Sequence, residues 1–244
     1  MPEGKAKFIA VANGSYVLLP ALSRAVPDAE DLANILLSRH GFETTVLPSL
    51  ERGALLDEMD QHLRKGALVD GALIVVWIGH GKVGADNTLR LLGLSKSDDV
   101  EVASASDLGE WAARTGAQQV LLVIDTCFSG AGVVDAARLA DAVNSGRTSP
   151  EKVWFGVVAA SLRDEPARSG ALVRELIRVL SEGPNQADFR WDRTRPFISG
   201  VDLLQALTVD WNEPRQRPCV ISVGRTWDLV RNPRFVPGVP DQPV

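Results

Sequence analysis

Two side chains capable of covalent chemistry follow apolar runs that lead toward glycine, His80 between two glycines and Cys127 three residues before one. His80 lies in Gly79-His80-Gly81, directly after Ala72-Leu73-Ile74-Val75-Val76-Trp77-Ile78. Cys127 lies in Asp125-Thr126-Cys127-Phe128-Ser129-Gly130, directly after Val120-Leu121-Leu122-Val123-Ile124. A free thiol is mostly protonated near neutral pH, so a nucleophilic cysteine needs a neighbouring base. His80 can supply one: it would assist loss of the thiol proton and then protonate a departing amine, while Cys127 attacks an acyl carbon and forms an acyl-enzyme. Taken singly, a histidine at a strand end or a buried cysteine is ordinary packing. Their shared setting, after apolar runs that lead toward glycine, is what points to chemistry. Asp125 precedes the thiol by two residues, and the strand period of two puts it on the same face as Cys127. A carboxylate beside the sulfur would oppose thiolate formation, so Asp125 is not read as a third member of the pair.

β-branched runs of this length bounded by glycine read as buried strands of a parallel sheet, and chemistry in open α/β sheets collects at the carboxyl ends of such strands. His80 and Cys127 are therefore expected at one rim. The remaining pattern supports the same frame. Phe8-Ile9-Ala10-Val11 reads as the first strand, left through the turn Asn13-Gly14-Ser15-Tyr16. From Asp28 to His40 the apolar residues Ala29, Leu32, Ala33, Leu36 and Leu37 form one helix face, stopped by Gly41. A strand at Thr44 to Leu47 and a helix carrying Leu55, Leu56, Met59 and Leu63 precede the histidine run. Leu89 to Leu94 reads as a short strand or hairpin, and a helix from about Ala105 to Thr115 leads to the cysteine run. Farther on, Val153 to Ala160 reads as a strand, Ala171 to Leu180 and Gly200 to Leu207 as helices, and Cys219 opens a late strand, Val220-Ile221-Ser222-Val223. Alternation of this kind predicts a three-layer α-β-α sandwich around a mainly parallel sheet. Ala131 to Lys152 is small, polar and weakly periodic, as a surface loop would be.

The 244 residues suffice for one substantial core, with no linker, repeat or low-complexity tract to divide them, so a single domain over 1–244 is expected. A net charge of −5 without a basic stripe argues against nucleic acid as partner. The longest apolar run is too short to cross a bilayer and the N-terminus lacks a secretory stretch, which predicts a cytoplasmic protein without a membrane partner. The two cysteines, Cys127 and Cys219, make no disulfide scaffold, and Cys219 reads as a structural thiol. His40, before Gly41, reads as a positive imidazole suited to a helix C-terminus, and His62 as a surface residue of a helix. No Cys/His spacing of a zinc site occurs.

A thiol about fifty residues after a histidine on a neighbouring strand end is the arrangement of a caspase-type nucleophile. The chain resembles the caspase/metacaspase clan of cysteine peptidases from about Lys7 to Phe235, and Asp125-Thr126-Cys127-Phe128-Ser129-Gly130 looks like the metacaspase and bacterial caspase-like form of the nucleophile motif. The resemblance implies the caspase-hemoglobinase fold, with residues 7–130 matching a large subunit, 131–152 an activation loop and 153–235 a small subunit. It implies that the amides of Cys127 and Gly81 hold the oxyanion and that Ser161 lies beside the substrate pocket.

In metacaspases the aspartate of the nucleophile motif and one in an Asn-Asp-Ala segment bind arginine or lysine before the cut. Asp125 matches the first. Asp28, in Pro27-Asp28-Ala29, matches the second with proline in place of asparagine. An aspartate at Asp28 could equally be a helix N-cap, and Asp125 a turn former. Arg24 leaves open the acidic specificity of animal caspases. The implied activity is a cysteine endopeptidase cutting proteins after arginine or lysine, in a bacterial stress or defence pathway, with regulation by separate proteins. Such an enzyme could be a zymogen that cuts its own loop at Arg147, or secondarily at Arg138. No cofactor is expected, although several metacaspases need calcium and Asp86, Asn87, Asp98, Asp99 and Asp135 offer oxygens without an EF-hand loop. A catalytically silent adaptor of the same fold is the alternative from another class, and a nucleotide-binding flavodoxin-like module is weak for want of a glycine-rich phosphate loop after the first strand.

Overall fold

The computed structural model describes residues 5–68, 70–94, 99–127, 129–130, 153–161, 170–186, 189–213 and 216–237. The chain enters through β1 (Ala6–Ala12), α1 (Ala25–Ile35), a π-helical turn (Leu36–His40) and β2 (Glu43–Pro48). Helix α2 (Arg52–His62) and β3 (Ala72–Ile78) follow. A small antiparallel sheet comes next, β4 (Gly81–Val83), β5 (Leu89–Leu94) and β6 (Asp99–Ser104), and then α3 (Ala105–Arg114) and β7 (Gln119–Asp125). The remainder supplies β8 (Trp154–Ala159), α4 (Ala171–Glu182), β9 (Phe197–Ser199), α5 (Gly200–Val209), β10 (Cys219–Gly224) and β11 (Asp228–Arg231).

The central sheet has the order β10-β8-β7-β3-β1-β2. Its members run parallel except β10, which pairs antiparallel with β8 at the edge. β3 and β7 are apolar throughout because both their faces are covered. One face, with Phe8, Ala10, Ile74, Val76, Leu121 and Val123, packs on α1, α4 and α5. The other, with Ile9, Val11, Val75, Trp77, Leu122 and Ile124, packs on α2, α3 and the small sheet. Each fully buried large side chain contributes roughly 1.5–3 kcal/mol, so the two faces hold the central strands rigidly and fix where their carboxyl ends lie.

The predicted sandwich and its mainly parallel sheet are present. The short strands β4, β9 and β11, and the six-residue β6, were not expected from the sequence. Two details of the first helix also differ from expectation. It starts at Ala25, so Asp28 sits inside the first turn and is not the N-cap, a place taken by Arg24. His40 is 1 % exposed and does not act as a helix-end cation. Its Nδ1 accepts from the Arg231 N–H at 3.1 Å and its Nε2 faces the Leu180 carbonyl at 3.3 Å. This is the neutral tautomer, and burial pulls the imidazole down to about 4.

Candidate active site

The register of two parallel strands brings the reactive residues together. Ile78 of β3 pairs with Asp125 of β7, and His80 and Cys127 each follow two residues later at the same end of the sheet. The Gly79 N–H reaches the Asp125 carbonyl at 3.3 Å. Beyond that point Gly81 lies against the nucleophile turn: a Cβ there would meet Thr126 Oγ1 at 2.8 Å and the Cys127 carbonyl at 3.1 Å. The turn after the thiol is tied to the end of β8. Ser129 Oγ accepts from the Ser161 N–H at 3.0 Å, and both serines are fully buried. Ser161 thus ties the end of β8 to the turn that follows β7 at the rim. Cys127 is half-buried and its thiol is not in a disulfide.

His80 is held from several sides. Its amide donates to Tyr16 Oη at 2.8 Å, its carbonyl accepts from Leu92 N at 3.0 Å, and its Nε2 lies 2.9 Å from the Pro20 carbonyl. The Tyr16 and His80 rings meet edge to face with centroids 4.5 Å apart. With Nε2–H donating to Pro20, Nδ1 is the nitrogen left for chemistry. Neither Tyr16 nor Pro20 stood out in the sequence. The one available signal was that Tyr16 is the sole tyrosine and lies in the turn that leaves the first strand.

Asp28 and Asp125 come together on the α1 and α4 side of the sheet, at 0 % and 2 % exposure. Asp125 Oδ2 accepts from the Val173 N–H in the first turn of α4 at 3.0 Å, whereas Oδ1 is buried without a hydrogen-bond partner among the described residues. Burial pushes the Asp125 carboxyl up to about 6; the Val173 amide and Arg174 oppose that rise, and Asp28 adds to it. Asp28 is gripped by two guanidiniums. Arg24 binds Oδ1 through Nη2 at 2.7 Å and Nε at 3.1 Å, and Arg174 Nη1 binds Oδ2 at 2.9 Å. Arg174 also lines an open cleft of about 320 Å³ shared with Glu175, Arg178, Trp211 and Glu213. The sequence did not point to Arg174, which reads there as one polar position of a helix.

Asp86 is engaged by Thr88 and Arg90 in its own turn, and Asn87 has a left-handed backbone with φ of 64°. Asp99 opens β6. Asp98, Asp135, Arg138 and Arg147 lie outside the described residues. Among the described residues no three His, Cys, Asp or Glu side chains cluster as metal ligands, and no helix is long and apolar enough to cross a membrane. His62 ends α2 beside Glu58 at 3.3 Å, and Cys219 opens β10 with its thiol pushed up by burial.

A mainly parallel sandwich with a histidine and a cysteine on adjacent strand ends, each next to a glycine or serine turn, defines a cysteine peptidase of the caspase type. The family model described as "Caspase domain" matches residues 5–223, and the chain belongs to that family of cysteine-type endopeptidases, whose substrates are proteins. The fold is similar to the crystal structure of caspase-1 from Spodoptera frugiperda, with a TM-score of 0.56 and 15% identity over 90% of this chain and 89% of that one. No curated protein sequence matches the chain.

Proposed function

We propose that the protein cleaves peptide bonds after arginine or lysine, with Cys127 as nucleophile and His80 as its acid and base. The Cys127 sulfur bonds to the scissile carbonyl carbon, and the C–N bond breaks as His80 gives a proton to the departing amine. Water deprotonated by His80 then hydrolyses the thioester, releasing the new carboxyl end and the thiol. The amides of Cys127 and Gly81 receive the oxyanion, a role in which each donor contributes about 2.7–4 kcal/mol.

One observation carries the specificity: Asp28 is buried with Asp125, which stands two residues before the nucleophile, and Asp125 Oδ1 lacks a hydrogen-bond partner among the described residues. A buried unpaired carboxylate oxygen is costly, and a substrate guanidinium supplies the missing donors. Its planar fork favours arginine over lysine. The exposed side chain of Arg24 holds Asp28 from the solvent side, so the incoming cation takes its place. A second reading, preference for acidic residues, is favoured by the two guanidiniums of Arg24 and Arg174 on Asp28. Cleavage profiling on a peptide library, with and without calcium, decides between them: enrichment of arginine before the cut supports the first, enrichment of aspartate or glutamate the second.

Activation by self-cleavage at Arg147, with Arg138 as second site, completes the reading. Small polar residues around Arg147 suit entry of the backbone into a protease. Intact-mass analysis of active protein tests this. A fragment starting at Thr148 is expected, and full activity of an uncut Arg147→Ala, Arg138→Ala variant refutes it. A role in a cytoplasmic stress or defence pathway, under the control of a regulatory protein, is the part of this proposal that the resemblance of the nucleophile motif to bacterial caspase-like proteins supports.

A further inference from the structure

We propose that Tyr16 is a positioning residue for His80, and that Ser49 fixes the segment that carries Tyr16. The inference rests on the reading of His80 and Cys127 as a catalytic pair. It begins where the chain leaves β1. The amides of Gly14 and Ser15 both donate to Ser49 Oγ, at 3.0 and 3.2 Å. Ser49 is a non-glycine residue with φ of 43°, and its own N–H donates to the Ala12 carbonyl at 3.0 Å. A left-handed backbone at such a residue costs of order 1–3 kcal/mol and persists only where its surroundings impose it. Here it lets one hydroxyl satisfy two amides. The Leu22 N–H closes the other side of the segment on the Gly14 carbonyl at 2.8 Å.

The segment so anchored delivers two contacts to one histidine. Pro20 presents its carbonyl to the ring at Nε2, and Tyr16 presents its hydroxyl to the backbone N–H. The backbone contact is the less expected one. A Cβ on Gly79 would lie 2.7 Å from Tyr16 Oη, so the glycine before the histidine leaves room for the phenol. The Tyr16 and His80 rings then close on each other edge to face at 61° between planes. An imidazole must serve both the thiol and the leaving amine from one place, and rotation about χ1 and χ2 is its main freedom. Tyr16 restricts the backbone from which those torsions start and blocks one swing of the ring. Its hydroxyl is engaged by the His80 backbone N–H and its ring by the imidazole, so it acts through His80.

The test uses the active full-length protein and the variants Tyr16→Phe, Ser49→Ala, His80→Ala and Tyr16→Phe with His80→Ala. Peptide turnover gives kcat and KM, and alkylation by iodoacetamide at neutral pH reports the reactivity of Cys127 without a substrate. Tyr16→Phe keeps the ring and loses the acceptor, and loss of one such hydrogen bond corresponds to about ten-fold in kcat, with KM unchanged. Alkylation slows in Tyr16→Phe, and Ser49→Ala shows a smaller loss of the same kind. In the His80→Ala background Tyr16→Phe slows alkylation no further, because residues acting as a unit are not additive. Wild-type kcat in Tyr16→Phe, or in folded Ser49→Ala should the tyrosine variant not fold, overturns the proposal. So does an equal loss with and without His80, which marks a merely structural role. If His80→Ala itself retains normal turnover and alkylation, the catalytic pair falls and the positioning role with it. A silent Tyr16→Phe beside an inactive His80→Ala removes the positioning role alone.

Discussion

Gly81 lies directly against the backbone of Cys127, so close that a methyl group on it would stand 3.1 Å from the Cys127 carbonyl and 2.8 Å from Thr126 Oγ1. The glycine after the histidine and the turn that aims the thiol are therefore one packed unit. Gly81→Ala must displace that turn by several tenths of an ångström. Misplacement on this scale costs far more in rate than in stability. Turnover is expected to fall at least about ten-fold, with a stability loss of roughly 1–3 kcal/mol as for other overpacked sites. Steady-state kinetics with thermal melts check this, and unchanged kcat in a folded variant contradicts the contact.

On the proposed arginine reading, Asp125 links specificity to pH. Its carboxyl ionises at about 6 in the folded protein against 3.8 in the unfolded chain. The native state therefore binds the proton more tightly, its stabilisation is complete below pH 3.8, and it is lost as pH rises through 6. At 1.36 kcal/mol per unit this is about 3 kcal/mol. Asp125→Asn should accordingly melt above wild type at pH 7.5, with the gap closing toward pH 4. It should also lose cleavage after arginine by at least about ten-fold, since one charge-assisted hydrogen bond to a charged group is worth about 1.5–3 kcal/mol. Wild-type kcat/KM for arginyl peptides should itself fall below about pH 6. A variant that cleaves arginyl peptides normally contradicts the pocket.

Arg24 separates the two specificities. If Asp28 awaits a substrate cation, Arg24→Ala removes a competitor and lowers KM for arginyl peptides by a few-fold, in keeping with about 0.2–1 kcal/mol for an ion pair exposed on one side. If Arg24 instead binds an acidic substrate residue, the same variant loses activity on aspartyl peptides. Parallel KM measurements on the two peptides give opposite answers.

His40 makes the fold acid-sensitive. Its folded value of about 4 lies below the ordinary 6.5, so the neutral form is the stabilised one. That stabilisation is present above pH 6.5 and is lost as pH falls toward 4, a change of about 3 kcal/mol. His40→Gln should flatten the acid limb of stability in denaturant melts over this window. Because Asp125 acts in the opposite sense there, the difference between wild type and variant at each pH is the informative quantity. An identical acid limb in both proteins contradicts the neutral-histidine account.

The parts of the fold set by strong periodicity were readable in advance. The runs at Ala72 to Ile78 and Val120 to Ile124 are apolar at every position because helices cover both faces, and Leu172, Leu176 and Leu180 mark α4 by spacing alone. The short strands β4, β9 and β11 were not readable: three or four residues hold no period, and pairing partners distant in the chain define them. The same holds for the site. His80 and Cys127 stand out because each follows a strongly apolar run, whereas Tyr16, Pro20 and Arg174 meet His80 or Asp28 through contacts across long sequence separations, Pro20 through a backbone carbonyl that any residue would offer.

The central claim, a thiol peptidase that reads arginine through Asp28 and Asp125, is tested most directly by covalent labelling with a peptidyl-arginine electrophile, beside its aspartyl counterpart, and mapping of the adduct by mass spectrometry. The account predicts one adduct, on Cys127, formed only by the arginyl reagent, absent in Cys127→Ala and strongly slowed in His80→Ala. Labelling of Cys219, no labelling at all, or labelling by the aspartyl reagent alone contradicts it.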